Sequence, residues 1–380
     1  MKRTLGVLLL AFAAVSARAS DPRPPAPQQA PIALLVDLSA GQTLFARGAD
    51  QRFLPASMTK AMTALVAFDL IRNGQLREDA VFTVRPQAAA RWSGKGTSLW
   101  LKPGEQVRVS DLLRGTATAS ANDAAVVLAE GALGSEAAWL AAMNARAKAL
   151  GMSGSHFASA NGLPDGGKTY VTARDMVRLA QALITEHPEL YHRYFGHRAF
   201  HWRGQELVSR NPFAGILPGA DGIKTGHTRE AGFTFLGAVE RQGRRLVLVV
   251  GKVPNEAVRA QASRDLAEWG YSAWDSRPFL TPGFVVGDVK VQDGQAREVP
   301  VTIARPFTIA VPKGSNPRIT ARIVYDGPIR APIAKGMLVG GIEVSIEGQP
   351  VHYLPLMSTS AVGKAGPIDR LVNALLGLLA

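Results

Sequence analysis

The sequence predicts an α+β domain followed by a small all-β module. Three observations carry this reading. Strand-like patterns stand at residues 32–48 and again after Gly222, helix-like periodicity fills the stretch between them, and beyond about residue 276 short alternating segments sit between Gly, Pro and Asp turns. The chain has 380 residues, 47% of them hydrophobic, enough to bury one large core or two smaller ones.

In chain order, MKRTLGVLLLAFAAVSARAS opens with Lys2 and Arg3, continues as an apolar run and reaches Ala17-Arg18-Ala19. That is the pattern of a secretory signal over residues 1–19, with an apolar run shorter than the ~20 residues a spanning helix needs. The Pro-rich stretch over 20–31 reads as a spacer, because proline supports neither helix nor central strand. IALLVDLSAGQTLFARG predicts two strands around a Ser39-Ala40-Gly41-Gln42 turn. Helical spacing follows from Ser57 to Ile71. Ser110 is placed to cap a helix running through DLLRGTATASANDAAVVLAEGAL. SEAAWLAAMNARAKALGM and the Thr172-capped ARDMVRLAQALITEH read as two more helices. AGFTFLGAVE and RRLVLVVGKV flank Arg241-Gln242-Gly243 as a hairpin, and EAVRAQASRDLAEWGYSAW closes a domain spanning 32–275 as a helix. Residues 276–362 read as the β-rich module, a spacer or docking unit with no chemical constellation. Residues 363–380 end in GPIDRLVNALLGLLA, an amphipathic helix. At ~1.5 Å per residue this tail reaches about 22 Å, too short to span a bilayer but able to lie in a membrane interface.

Forty-three Lys and Arg against 30 Asp and Glu leave a net charge of +13, suited to an anionic surface such as a phospholipid leaflet or an acidic polymer. The basic residues are scattered and aromatics are 7%, which argues against nucleic acid as a partner. The absence of cysteine excludes disulfides, thiolate catalysis and Cys-based zinc sites, and the seven histidines show no HExxH spacing. Neither a metal nor a cofactor is expected.

The chemistry concentrates in PASMTKAMTALVAF. Ser57 is placed to open the helix, where free backbone N–H groups and a partial positive charge favour an oxyanion. Lys60 lies one turn on, on the same face, amid side chains that want burial. Burial and a second cation lower a lysine pKa, so its neutral amine can take the serine proton. The bland alternative is a capping serine and a snorkelling lysine. Two further strings raise the signal. Ser120 and Asn122 in SAND can point the same way from a short non-helical turn. Lys224, Thr225, Gly226 and His227 in IKTGHT read as a strand laid along a substrate peptide, with Gly226 leaving room for a close approach. S-x-x-K, S-x-N and K-T-G in this order form a serine acyl-enzyme signature. A second SAN, Ser159 to Asn161, competes for the middle role from a turn-rich loop.

PASMTKAMTAL, SANDAAVVLAE, HFASANGLPD, TARDMVRLA and DGIKTGHTREAG together resemble the low-molecular-mass penicillin-binding proteins that act as serine D-alanyl-D-alanine carboxypeptidases. The resemblance implies a penicillin-recognising fold, like that of serine β-lactamases and transpeptidases, with an antiparallel sheet beside a helical lobe. It implies removal of the terminal D-alanine from peptidoglycan stem pentapeptides through a Ser57 acyl-enzyme, with β-lactams as covalent inhibitors. Lys60 would be the base, Ser120 a relay to the leaving amine, and Lys224 would keep that network polarised. Asn122 would hold the substrate amide, and the N–H groups of Ser57 and His227 the oxyanion. Thr225 and Arg259 would bind the terminal carboxylate. It also implies an exported protein on the outer face of the cytoplasmic membrane, held there by the tail. Ala121 stands where the family often has glycine. A D,D-endopeptidase of the same family is the nearest alternative. A β-lactamase of the common class needs a glutamate in E-x-x-L-N, and Glu189-Leu190-Tyr191-His192 lacks the asparagine. An inactive cell-wall-binding protein would have little use for an intact set of these residues.

Overall fold

The computed structural model describes Pro24 and residues 30–369. The expected signal, most of the spacer and the tail beyond residue 369 lie outside the described residues. The chain forms two compact units, one ending at Ala273 and the other starting at Trp274.

In the first unit, strands β1 (Ile32–Asp37) and β2 (Gln42–Arg47) precede helix α1 (Thr59–Arg72). A short hairpin, β3 (Val81–Thr83) and β4 (Gln106–Arg108), encloses α2 (Pro86–Trp92). The helical block continues with α3 (Val109–Arg114), α4 (Asn122–Leu133), α5 (Glu136–Ala149), α6 (Ala173–Glu186) and α7 (Pro188–Tyr194). A second small hairpin, β5 (Ala199–Trp202) and β6 (Gln205–Val208), leads to β7 (Ala220–Thr228), β8 (Gly232–Arg241), β9 (Arg244–Val253) and α8 (Glu256–Ser272). The main sheet runs β2-β1-β9-β8-β7, all antiparallel, so β7 is an edge. Gln242 and Gly243 at φ 52° and 76° form the tight β8–β9 turn, a backbone hand that suits the twist of the strands it joins.

Helix α1 is buried on every side from Thr59 to Phe68. That is why its apolar residues show no single stripe: it is the axis of the helical lobe, not a surface helix. Full burial of Met62, Leu65 and Phe68 contributes roughly 1.5–3 kcal/mol each. Ser135, Thr172 and Asn255 cap α5, α6 and α8 through their side-chain oxygens.

Two expectations change here. Ser110 is not a cap: Arg108 holds that position, and Ser110 lies inside α3. The helix expected from Ser110 onward is also broken. Residues 115–119 widen into a π-turn, and Ser120 takes a left-handed conformation before α4 begins at Asn122. The break has a steric setting, because a side chain at Gly115 would fall 2.7 Å from Leu99.

The second unit pairs β10 (Trp274–Leu280) with β13 (Phe307–Pro312). Its larger sheet holds β11 (Gly287–Gln292), β12 (Glu298–Ile303), β14 (Ile319–Val324), β15 (Ile329–Arg330), β16 (Leu338–Ile346) and β17 (His352–Ser358) in the order β14-β16-β17-β12-β11-β15. Val289, Val301, Ile309, Val344 and Leu356 belong to a hydrophobic core of its own. Residues 367–369 open a helix at the end of the described chain. Among the described residues no single helix is long and apolar enough to cross a membrane.

Candidate active site

Ser57 does not open α1. It stands in a 3-10 turn, Ala56–Met58, one turn earlier, with Ala56 left-handed at φ 48°. A left-handed alanine costs about 1–2 kcal/mol, so the surroundings must hold it. Gly162 does: a Cβ there would fall 2.0 Å from the Ala56 carbonyl oxygen. The turn is also held by β7. A Cβ at Gly226 would fall 2.4 Å from the Pro55 carbonyl oxygen and 3.1 Å from the Ser57 nitrogen. Gly226 therefore makes room for the backbone that carries Ser57.

Lys60 is fully buried. Its Nζ lies 2.9 Å from Ser57 Oγ, 2.6 Å from Asn122 Oδ1 and 2.6 Å from the Asn161 carbonyl oxygen. The last two are acceptors only. A neutral amine has two hydrogens, and these acceptors take both, which leaves its lone pair for the Ser57 hydroxyl. Burial holds the Lys60 pKa well below the ordinary lysine range, Lys224 pushes the same way, and Asp123 opposes them. A charged amine would donate to all three oxygens instead, so it is burial that favours the neutral form, the one able to accept from the serine.

Asn122 and Ser120 leave the helical block at the π-turn. Asn122 is buried, and its Nδ2 donates to the Lys95 carbonyl at 2.7 Å, which fixes its amide orientation and leaves one hydrogen for a ligand. Ser120, half-buried, sits two residues before it in the left-handed position. Asp123 secures the neighbouring loop, accepting from the backbone N–H groups of Leu99 and Leu101 and from Ser98 Oγ.

On β7, Lys224 and Thr225 are buried, while His227 is exposed and stacks on its cross-strand partner Phe233 at 3.9 Å. Burial first, then Arg259 and Arg210, pulls the Lys224 pKa down to about 7. Arg259 is 2% exposed, so it is no surface arginine. It projects from α8 over the Phe233 ring, pairs with Glu256 and donates to the Arg210 carbonyl.

Two contributors act otherwise than their sequence suggests. The second SAN supplies the site through its backbone: Ser159 Oγ donates to Asn161 Oδ1 and accepts from the Gly162 N–H, and this tight loop aims the Asn161 carbonyl at Lys60. Arg210 adds a cation near Lys224. Asp69, Glu186 and His187 are the one group of metal-ligand types gathered among the described residues, but Arg72 and Arg146 each pair with both carboxylates, so the cluster is already charge-matched.

A serine beside a buried lysine, on a helical lobe flanked by the edge of an antiparallel sheet, defines the penicillin-binding, transpeptidase-like class of fold. Comparison with known proteins narrows it. A family model described as D-alanyl-D-alanine carboxypeptidase matches residues 18–255, and the chain belongs to that family. A second model, the C-terminal domain of penicillin-binding protein 5, matches residues 274–364. The D-alanyl-D-alanine carboxypeptidase DacD of Salmonella typhimurium is 33% identical over 386 residues, covering 98% of this chain and 97% of the relative. Penicillin binding protein 5 from Haemophilus influenzae superposes with a TM-score of 0.80 at 28% identity, over 91% of this chain and all of that one. Penicillin-Binding Protein D2 from Listeria monocytogenes, solved in an ampicillin-bound form, gives a TM-score of 0.58 at 32% identity over 64% of this chain and 98% of its own. The protein is a serine D-Ala-D-Ala carboxypeptidase, a hydrolase of peptidoglycan stem peptides.

Proposed function

We propose that Ser57 carries this activity as the nucleophile, with Lys60 as its base. The observation that supports it most is the fully buried Lys60 amine 2.9 Å from Ser57 Oγ, with its other two neighbours able only to accept. Lys60 takes the hydroxyl proton as Oγ attacks the penultimate D-alanine carbonyl. The oxyanion forms against the N–H groups of Ser57 and His227. Ser120 passes a proton to the departing D-alanine amine, with Lys224 keeping that network polarised. Asn122 gives its remaining amide hydrogen to the substrate. Thr225 receives the terminal carboxylate, in the positive field of Lys224 and Arg259. Water then cleaves the acyl-enzyme. Neither a metal nor a cofactor enters this scheme.

β-Lactams enter the same path as covalent inhibitors, a reading supported by the ampicillin-bound form of the Listeria relative. The N-terminal signal pattern supports export to the periplasm. The apolar stripe of the tail and the +13 charge support a peripheral seat on the outer face of the cytoplasmic membrane, with the β-rich unit as spacer. The test is D-alanine release from a stem pentapeptide ending in D-Ala-D-Ala. The reading requires release by the wild type and none by Ser57→Ala; release by both would remove Ser57 from the mechanism.

A further inference from the structure

Trp100 has no part in the scheme above, yet the fold holds its indole in water. It is left-handed at φ 58° and 64% exposed. A bulky residue rarely takes this backbone, and residues held against its cost cluster at functional sites. Both neighbours are pinned inward. Leu99 and Leu101 are buried, and their N–H groups donate to the two carboxylate oxygens of buried Asp123 at 2.9 and 3.1 Å. The Trp100 N–H donates to Ser98 Oγ, which itself donates to Asp123. Trp202 Nε1 donates to the Leu99 carbonyl at 3.0 Å. The turn that draws both leucines in drives the indole between them out. We propose that Trp100 is a platform on which a sugar ring of the peptidoglycan glycan strand stacks while a stem peptide occupies the active site. The inference rests on the reading of Asn122 as the residue that holds the substrate amide.

Continuity with the site gives the position. The benzo part of the ring lies over Gly94, where a Cβ would fall 2.7 Å from Cζ3 and 3.1 Å from Cη2. The next residue is Lys95, whose carbonyl accepts from Asn122 Nδ2. Gly96 follows, and a Cβ there would fall 2.9 Å from that same amide nitrogen. The Thr97 carbonyl accepts from the Asn122 backbone N–H. One short turn, residues 94–97, therefore supports the indole at its start and grips Asn122 along the rest. Consecutive Cα atoms are ~3.8 Å apart, so the ring stands within about 10 Å of the amide that meets substrate. The part of a stem pentapeptide that precedes its D-Ala-D-Ala pair also spans about 10 Å when extended, which puts the glycan strand within reach of the ring.

The surface gives the chemistry. Trp92 and Trp202, which flank the same loop, each carry an arginine over the ring, Arg91 and Arg203. Trp100 has neither a ring nor a cation stacked on it among the described residues. An exposed indole is apolar on its face and polar at its N–H edge. A pyranose matches it, because its C–H bonds make one face apolar while hydroxyl and acetamido groups surround the edge. Lys95 is exposed and without an ion pair among the described residues, so its ammonium can donate to those oxygens. A lipid or an apolar protein surface fits less well. Lys95, Gly96 and Lys102, the exposed residues on either side of Trp100, do not extend the indole into an apolar patch.

The test compares two substrates with the same stem pentapeptide ending in D-Ala-D-Ala: the free peptide, and the peptide carried on a short glycan strand without cross-links. The readout is the ratio of their kcat/KM values per pentapeptide, not the absolute rate. The wild type should favour the strand-borne peptide about three- to tenfold, the range a stacked aromatic contact contributes. The preference should persist in high salt, whereas a purely electrostatic pull of the +13 chain on the polymer would fade. Trp100→Ala should bring the ratio to about one. Trp100→Gly, which suits the left-handed backbone and removes the ring, should do the same, and Trp100→Phe should keep part of the preference. Equal or lower kcat/KM on the strand in the wild type, or a ratio unmoved by Trp100→Ala and Trp100→Gly, overturns the platform while leaving the carboxypeptidase mechanism standing. Release from neither substrate overturns both.

Discussion

Replacing Gly162 by alanine should disable the site without touching any group that meets substrate. Gly162 is left-handed at φ 76°, where an alanine costs about 1–2 kcal/mol. The larger effect is the collision. A Cβ at this position would fall 2.0 Å from the Ala56 carbonyl oxygen and 2.8 Å from Thr59 Oγ1, whereas ordinary contact begins at 3.4 Å. Relief requires the two backbones to part by about an ångström or more. Ser57 follows Ala56 on one side of that gap, and Asn161, whose carbonyl holds Lys60, precedes Gly162 on the other. The Ser57–Lys60 pair is therefore pulled from both sides. Misplacement on this scale costs on the order of 100-fold in rate, about 2.7 kcal/mol. Gly134→Ala is the control: φ is 81° there, no atom lies within 4 Å of where its Cβ would stand, and only the backbone cost remains. The assay is D-alanine release together with the rate of penicillin acylation, with melting temperature recorded for each variant. Gly162→Ala should be folded and slowed about 100-fold in both reactions, and Gly134→Ala should keep its activity. A folded Gly162→Ala within threefold of wild type would refute the idea that this contact sets the nucleophile.

Ser57→Ala should retain the fold and lose both D-alanine release and covalent labelling by penicillin, since no other group can form the acyl intermediate; labelling elsewhere in the chain would contradict this. Burial keeps the Lys60 pKa low, and catalysis uses its neutral form, so kcat/KM should fall as pH drops through that value; a profile flat from pH 5 to 10 would exclude a lysine base. Lys224 has a folded pKa of about 7 against an unfolded value near 10.4. Between these limits the unfolded chain binds more protons, so stability should rise with pH from about 7 to about 10, and Lys224→Met should flatten that rise in a denaturant titration. Deleting residues 366–380 should move the protein from the membrane pellet to the supernatant without changing soluble activity; equal pelleting would favour a docked helix.

The parts of this site that are legible in the sequence are the side chains with chemistry of their own. Motif alone marks Ser57, Lys60, Asn122 and Lys224, and the structure brings Ser57, Lys60 and Asn122 into direct contact. The sheet is legible from the hairpin at Gln242-Gly243 and from alternation on either side of it. What escapes is contributed by backbone. The Asn161 carbonyl has no residue type that marks it, and the left-handed backbone at Ala56 falls on a residue type that gives no sign of it. Gly115 is a flag for the π-turn, but a glycine within a helical pattern is ambiguous. Gly226 is legible as a missing side chain, but sequence does not show that the backbone of Pro55 and Ser57 stands against that space. The β5–β6 hairpin escapes although Arg203-Gly204 marks its turn, because its strands are four residues each.

The central claim is that Ser57 forms an acyl-enzyme, and the most direct measurement is intact-protein and peptide mass spectrometry after a brief penicillin pulse. A ring-opened β-lactam keeps its amine tethered to the acyl group, where a departing D-alanine would have made way for water. Among residues 124–223 no E-x-x-L-N string supplies a glutamate to activate water from another side. The account predicts a single penicilloyl adduct on the peptide carrying Ser57, lasting minutes or longer. Rapid multiple turnover of penicillin with no accumulated adduct, or an adduct on a different residue, would contradict it.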